Sequence, residues 1–176
     1  NWNNIENDLA KGVGLEEALH NTKPSSYVEE CIRKVTAIYI GEADKRLLTD
    51  IVKTGKQLRF SEYLQRFNIR NEGMTVITTN YDRLLEYACE TNEIMADTLF
   101  VGKYIARFKP NQSKYASCIG VQRTNGKGKK LQYSPRVIIL KPHGCLSWHL
   151  INSIPYSLPD YSIEDSLIIT PGLNKY

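Results

Sequence analysis

The residues with the most chemical reach stand at the ends of two apolar runs. Met74–Thr75–Val76–Ile77 leads through Thr78 and Thr79 to Asn80, Tyr81 and Asp82. Val137–Ile138–Ile139–Leu140 leads through Lys141 and Pro142 to His143 and Gly144. Histidine is the side chain best suited to act as a base near neutral pH. An amide such as Asn80 donates and accepts, so it can hold a sugar oxygen and a water at once. Asp82 can orient an amide or a hydroxyl. Open α/β sheets bind nucleotides at strand ends of this kind, and two ends delivering Asn80, Asp82 and His143 can build one site. Plainer readings stand beside this one. Asn80 or Asp82 can cap the helix that follows, a role worth about 1 kcal/mol, and His143 can be a core histidine satisfied by backbone.

Taken together, Thr78–Thr79–Asn80–Tyr81–Asp82 and His143–Gly144 resemble the sirtuin-like NAD-consuming family, which carries Thr-x-Asn-x-Asp after one core strand and His-Gly after another. Trp2, Ile5 and Leu9, followed by Gly14–Leu15–Glu16–Glu17–Ala18–Leu19, are similar to the helical stretch after the first nucleotide-binding loop of bacterial members. The resemblance implies that NAD is the substrate and that its nicotinamide–ribose bond is split. It assigns Asn80 to ribose and water positioning, Asp82 to substrate orientation and His143 to the general base. Thr78, Thr79 and Gly144 join the substrate-binding set. Protein deacylases of the family insert a four-cysteine zinc ribbon. This chain has no such ribbon, so the expectation is NAD glycohydrolase activity without a metal, yielding ADP-ribose or a cyclic form.

Bacterial relatives without the ribbon often serve as NAD-depleting effectors of antiviral defence. That implies a larger parent protein, contacts with its flanking regions, and homo-oligomers. The family pattern also begins with a strand and a Gly-Ala-Gly-type loop that meets the pyrophosphate with backbone N–H groups. Residues 1–176 are thus expected to be one domain lacking that first strand and its carboxyl-terminal end. Two rivals remain. An NAD-dependent deacylase or ADP-ribosyl transferase would show zinc-binding cysteine pairs in the flanks, and a non-catalytic nucleotide-binding module would bind ADP-ribose without turnover.

Length and charge narrow the field. A chain of 176 residues buries a real core as one domain. With 23 basic against 19 acidic residues, the excess is too small to argue for nucleic acid, yet it suits an anionic small molecule. No apolar run approaches the roughly 18 residues of a membrane span, and no secretory pattern opens the chain. Cys31, Cys89, Cys118 and Cys145 form no Cys-x-x-Cys pair, which speaks for small buried hydrophobes in a reducing cytoplasm.

The elements that must position these residues follow from periodicity. The fold expected is a Rossmann-like α/β domain, a parallel sheet with helices on both faces and a helical amino-terminal subdomain. Trp2, Ile5 and Leu9 mark one helix and Leu15 with Leu19 a second. Pro24–Ser25–Ser26 starts a third through Tyr39. Leu47 to Val52 predicts a separate helix ending near Gly55, and Ser61 caps a short one with Tyr63, Leu64 and Phe67. Thr75–Thr79 is a buried strand and residues 82–91 a helix. Thr98–Val101, Val137–Leu140 and Leu167–Ile169 are further strands. Pro155 and Pro159 mark a loop, and Ser147–Trp148–His149–Leu150 an extended segment in which His149 is structural. Arg123, Lys127, Lys129 and Lys130 read more readily as a solvated hairpin tip than as a phosphate site. Thr170–Pro171–Gly172 is a weak candidate for the adenosine side.

Overall fold

The computed structural model describes residues 2–66, 73–123 and 128–170. Residues 2–66 are helical: α1 (Trp2–Ala10), α2 (Leu15–Thr22), α3 (Ser26–Thr54) and α4 (Arg59–Arg66). Ile5, Ala18 and Leu19 bury the facing sides of α1 and α2, with Val13, Val28 and Ile32 packed around them. Gly55 ends α3 in the left-handed region at φ 65°, its N–H bonded to the Ile51 carbonyl, as a glycine after a helix should.

Helix α3 corrects the expectation of two helices, for it runs unbroken through Gly41. The glycine serves close approach here. A Cβ at that position would lie 2.2 Å from Ile163 Cδ1, on the short 3-10 turn Ile163–Asp165. Ser61 sits within α4 rather than before it, and Phe67 falls outside the described residues.

The central sheet is parallel, with β7 (Arg136–Leu140) between β1 (Met74–Ile77) and β2 (Met95–Asp97). Val137 and Ile139 alternate into a core with Leu64 of α4 and Cys89 of α5 (Leu84–Glu90). Period-two burial in β-branched residues is what a half-covered strand requires. Mixed α/β architecture, parallel sheet and helical amino-terminal region are thus as expected. Strand β2 was not expected: Met95–Ala96–Asp97 lacks β-branched residues, and its buried Asp97 is tied to Arg136 at 2.6 Å. The strand expected at 98–101 shrinks to β3 (Phe100–Val101), because Leu99 takes φ 67° between them.

An antiparallel sheet of order β3-β4-β9-β8 flanks this core, built from β3, β4 (Ala106–Phe108), β8 (Trp148–Ile151) and β9 (Ile154–Ser157). The proline-marked loop is therefore half a hairpin. Asn152 and Ser153 take φ 50° and 63°, the positive pair that a two-residue hairpin turn needs. Pro155 is tolerated because the β4 ladder ends at Tyr156, so its missing N–H costs no bond. Helix α6 (Pro110–Ala116) precedes a two-stranded ribbon of β5 (Cys118–Arg123) and β6 (Lys129–Tyr133). Its ladder runs out to Arg123 and Lys129, in keeping with a solvated hairpin, although Lys127 lies outside the described residues.

Residues 167–169 form no strand. Their N–H groups go to Trp148, Ser166 and His143 carbonyls, and only a single bridge joins Ile168 to Gly144. The cysteines divide: Cys89 and Cys145 are buried as expected, while Cys31 and Cys118 are exposed. No described helix is long and apolar enough to cross a membrane.

Candidate functional site

Parallel pairing of Ile77 with Leu140 sets the carboxyl ends of β1 and β7 side by side. The ladder continues one step further, with Thr78 N–H donating to the Leu140 carbonyl at 3.0 Å. Beyond it the two chains leave the sheet as neighbouring loops, residues 78–83 and 141–147. Two bonds cross directly between them. Leu146 N–H donates to the Tyr81 carbonyl at 3.0 Å, and the Lys141 ammonium donates to the Asp82 carbonyl.

The first loop is folded by its own polar side chains. Thr78 Oγ1 accepts the Asn80 N–H at 3.1 Å, and Asp82 Oδ1 accepts the Leu84 N–H at 3.1 Å. Asp82, one position before the Arg83 N-cap, thus satisfies the first N–H of α5 with one of its two oxygens. Thr79 and Asn80 are exposed, and Thr78 is half-buried. Tyr81 donates its hydroxyl to the Ile169 carbonyl at 2.5 Å, and its ring packs beside Ala37, Leu146 and Ile168. Helix α3 thus lies directly behind the loop.

The second loop turns at Gly144, whose N–H bonds the Lys141 carbonyl at 3.0 Å. Gly144 has φ 89°, and a Cβ there would meet the Leu167 carbonyl oxygen at 1.9 Å. Only glycine fits both demands. His143 is half-buried, and its carbonyl accepts the Ile169 N–H at 2.8 Å. Thr170 belongs to the same neighbourhood in sequence, but Pro171 and Gly172 lie outside the described residues.

Two buried polar clusters support these loops, and sequence reasoning assigned neither a role. In one, Asp44 of α3 accepts from Arg83 N–H at 2.8 Å, Arg83 Nε at 3.0 Å, Arg83 Nη2 at 2.7 Å and Tyr87 Oη at 2.7 Å. Burial would lower the Arg83 pKa most, but the Asp44 charge, its hydrogen bond to Arg83 and weaker neighbours together raise it. Burial, helped by the bond to Asp44, pushes the Tyr87 phenol up. In the other, Lys141 Nζ lies 2.9 Å from Glu86 Oε1 and 3.7 Å from Cys145 Sγ, which itself lies 3.5 Å from Ser147 Oγ.

Burial drives the Glu86 carboxyl up, and the Lys141 ammonium opposes it. On the lysine, burial alone would lower the pKa, while Cys145 and Glu86, both acceptors of the ammonium, hold it above the usual value. The ammonium has an acceptor for each of its three hydrogens, so the geometry holds the ionic form of the Lys141–Glu86 pair. Burial likewise raises the Cys145 thiol, which keeps it protonated. The available signal was a lysine at the end of an apolar strand, where a charge needs a buried partner.

His149 on β8 is structural as expected. It is 1% exposed, its Nδ1 lies 3.2 Å from the Asp165 carbonyl, and Tyr161 meets its ring edge-on. His20 closes the last turn of α2.

Residues 74–172, more than half of the chain, match the model of a family described as SIR2-like domain. No curated protein matches the chain.

Proposed function

The chain belongs to the SIR2-like domain family, and from that premise we propose that it is an NAD glycohydrolase working at the paired ends of β1 and β7. The observation that carries the reading is the parallel register of Ile77 with Leu140. It starts the loop of Asn80 and Asp82 and the loop of His143 from adjacent strands. Nucleotide sites in open α/β sheets form at such edges.

Nicotinamide in NAD already carries the positive charge, so the bond electrons leave with it and no acid is needed. The ribose carbon left behind takes oxocarbenium character. Asn80 holds the ribose and the attacking water, since its amide both donates and accepts. His143 takes the proton from that water as the new carbon–oxygen bond forms, leaving ADP-ribose. Attack by a hydroxyl of the same molecule would give the cyclic product by the same proton transfer. Asp82 keeps one carboxylate oxygen for orienting substrate, its other oxygen being held by Leu84 N–H. Thr79 and the backbone of Gly144 complete the contacts, with Thr78 shaping the loop. Family resemblance alone supports the wider setting, an NAD-depleting antiviral effector acting in the cytoplasm as a homo-oligomer.

The test is release of nicotinamide from NAD by the purified protein and its variants. His143→Ala should lower turnover about 10²–10⁴-fold with an unchanged melting temperature, as loss of a general base does. Asn80→Ala should be comparably damaging. Full turnover in a normally folded His143→Ala protein would refute the base role.

A further inference from the structure

Lys141 stands immediately after β7 and two positions before His143, yet its side chain is only 1% exposed. Its backbone and its ammonium act on different loops. The Lys141 carbonyl accepts the Gly144 N–H at 3.0 Å and so sets the turn that presents His143. The ammonium reaches beneath the neighbouring loop to the Asp82 carbonyl and is held from below by Glu86 Oε1 at 2.9 Å. Cys145 Sγ, 3.7 Å away, completes the three acceptors.

A buried ammonium is costly, and a buried ion pair often stabilises a fold no better than apolar side chains of the same volume. Stability therefore does not explain this pair, whose Glu86 Oε2 is left buried without a partner among the described residues. Its directional bonds do something that an apolar filler cannot. The Asp82 carbonyl lies two residues beyond Asn80, and the segment between them is otherwise crossed from the second loop only by the Leu146–Tyr81 bond among the described backbone contacts.

We propose that Lys141, braced by Glu86, is the positioning residue that fixes the Asn80–Asp82 loop against the His143 turn. This rests on the NAD hydrolysis proposed above. Lys141 touches no substrate; it acts through the Asp82 carbonyl, holding the residue that places ribose and water at the correct distance from the base.

The experiment compares the protein with its K141M/E86L and E86Q variants by amide hydrogen exchange, thermal melting and NAD turnover. K141M/E86L removes both charges at similar volume. It should melt near the unmodified protein while the Asn80, Arg83 and Leu146 amides exchange at least about tenfold faster. Its kcat should fall about 100-fold, the cost of a misplacement near 1 Å, with KM changed by less than about threefold. E86Q keeps an oxygen for the ammonium but not the charge that offsets it, so it should melt lower. Protection of the three amides, and kcat well below the melting range, should stay within about threefold of the unmodified protein.

Unchanged exchange at those amides, or unchanged kcat in K141M/E86L, would overturn the proposal. So would a K141M/E86L protein that cannot fold, or an E86Q protein that loses loop protection, since each would make the pair a stability element. Absence of turnover in the unmodified protein would instead refute the proposed function, and the exchange measurement would still decide the role of Lys141 in the loop.

Discussion

Gly144→Ala is the sharpest probe of the site's backbone. Two separate penalties act on the added methyl. A residue with a Cβ held at φ 89° carries strain of about 1–3 kcal/mol. The Cβ would also lie 1.9 Å from the Leu167 carbonyl oxygen, where ordinary contact begins at 3.4 Å, so the two segments must part by about 1.5 Å. That neighbour is backbone and cannot rotate away. The Gly144–Ile168 bridge and the Ile169-to-His143 bond span the same gap, so parting the segments moves His143. Strain alone predicts a melting temperature lower by about 2–12 °C for a domain of this size. Displacement of the proposed base, His143, by more than 1 Å predicts a loss of about 100-fold in kcat. Thermal melting and nicotinamide release measure both. An alanine variant that melts within about 1 °C of the unmodified protein would refute the close-approach argument.

Asp44→Ala strands the largely buried Arg83 guanidinium and should destabilise by about 3 kcal/mol in urea titrations, against less than 1 kcal/mol for a typical surface aspartate. Gly41→Ala should destabilise by up to about 2 kcal/mol by the same assay. Its Cβ would lie 2.2 Å from Ile163 Cδ1 and 2.8 Å from Cγ1, so overpacking of about 1–3 kcal/mol meets a helix gain of about 1 kcal/mol for alanine over glycine. His149 gives a pH test. Burial lowers its pKa below the ordinary 6.5, so under acid the unfolded chain binds the proton first. Its contribution is full above pH 6.5 and is lost as pH falls toward the folded pKa. His149→Gln should therefore flatten the acid side of the stability profile, and an unchanged slope would count against buried neutral histidine.

Local signals were strong where a segment's role depended on its own residues. Val137–Leu140 and Thr75–Val76 are β-branched runs with polar residues behind, and both are strands of the parallel sheet. Gly55 and Pro24–Ser25 bounded α3 because caps act within a turn of the helix. The failures were tertiary. Periodicity split α3 between Tyr39 and Leu47, where Gly41 gives close approach to Ile163, 122 positions away. Met95–Asp97 has no strand-like composition and is held by β7 and by Arg136. Leu167–Ile169 has that composition and forms no strand, because its N–H groups serve the site loops. The same limit hid the Lys141–Glu86 pair. Glu86 lies one turn past Asp82 and 55 positions before Lys141, a distance across which no periodicity speaks.

The order β1-β7-β2 also dictates how the domain must come into being. Among the described residues neither outer strand pairs with the other, and both form their ladders with β7, which arrives more than 35 residues after β2 in the chain. Until then, Met74–Ile77 and Met95–Asp97 each lack their β7 neighbour, and the Leu64–Cys89 surface lacks the Val137 and Ile139 side chains that cover it. Long-range pairing of this kind slows folding, because loop closure precedes its reward. When β7 inserts, it closes both ladders and carries Lys141, His143 and Gly144 into place at its far end. Of these three strands the last to join is the one that brings the proposed base, so closing the central ladders and pairing the two loops are a single event.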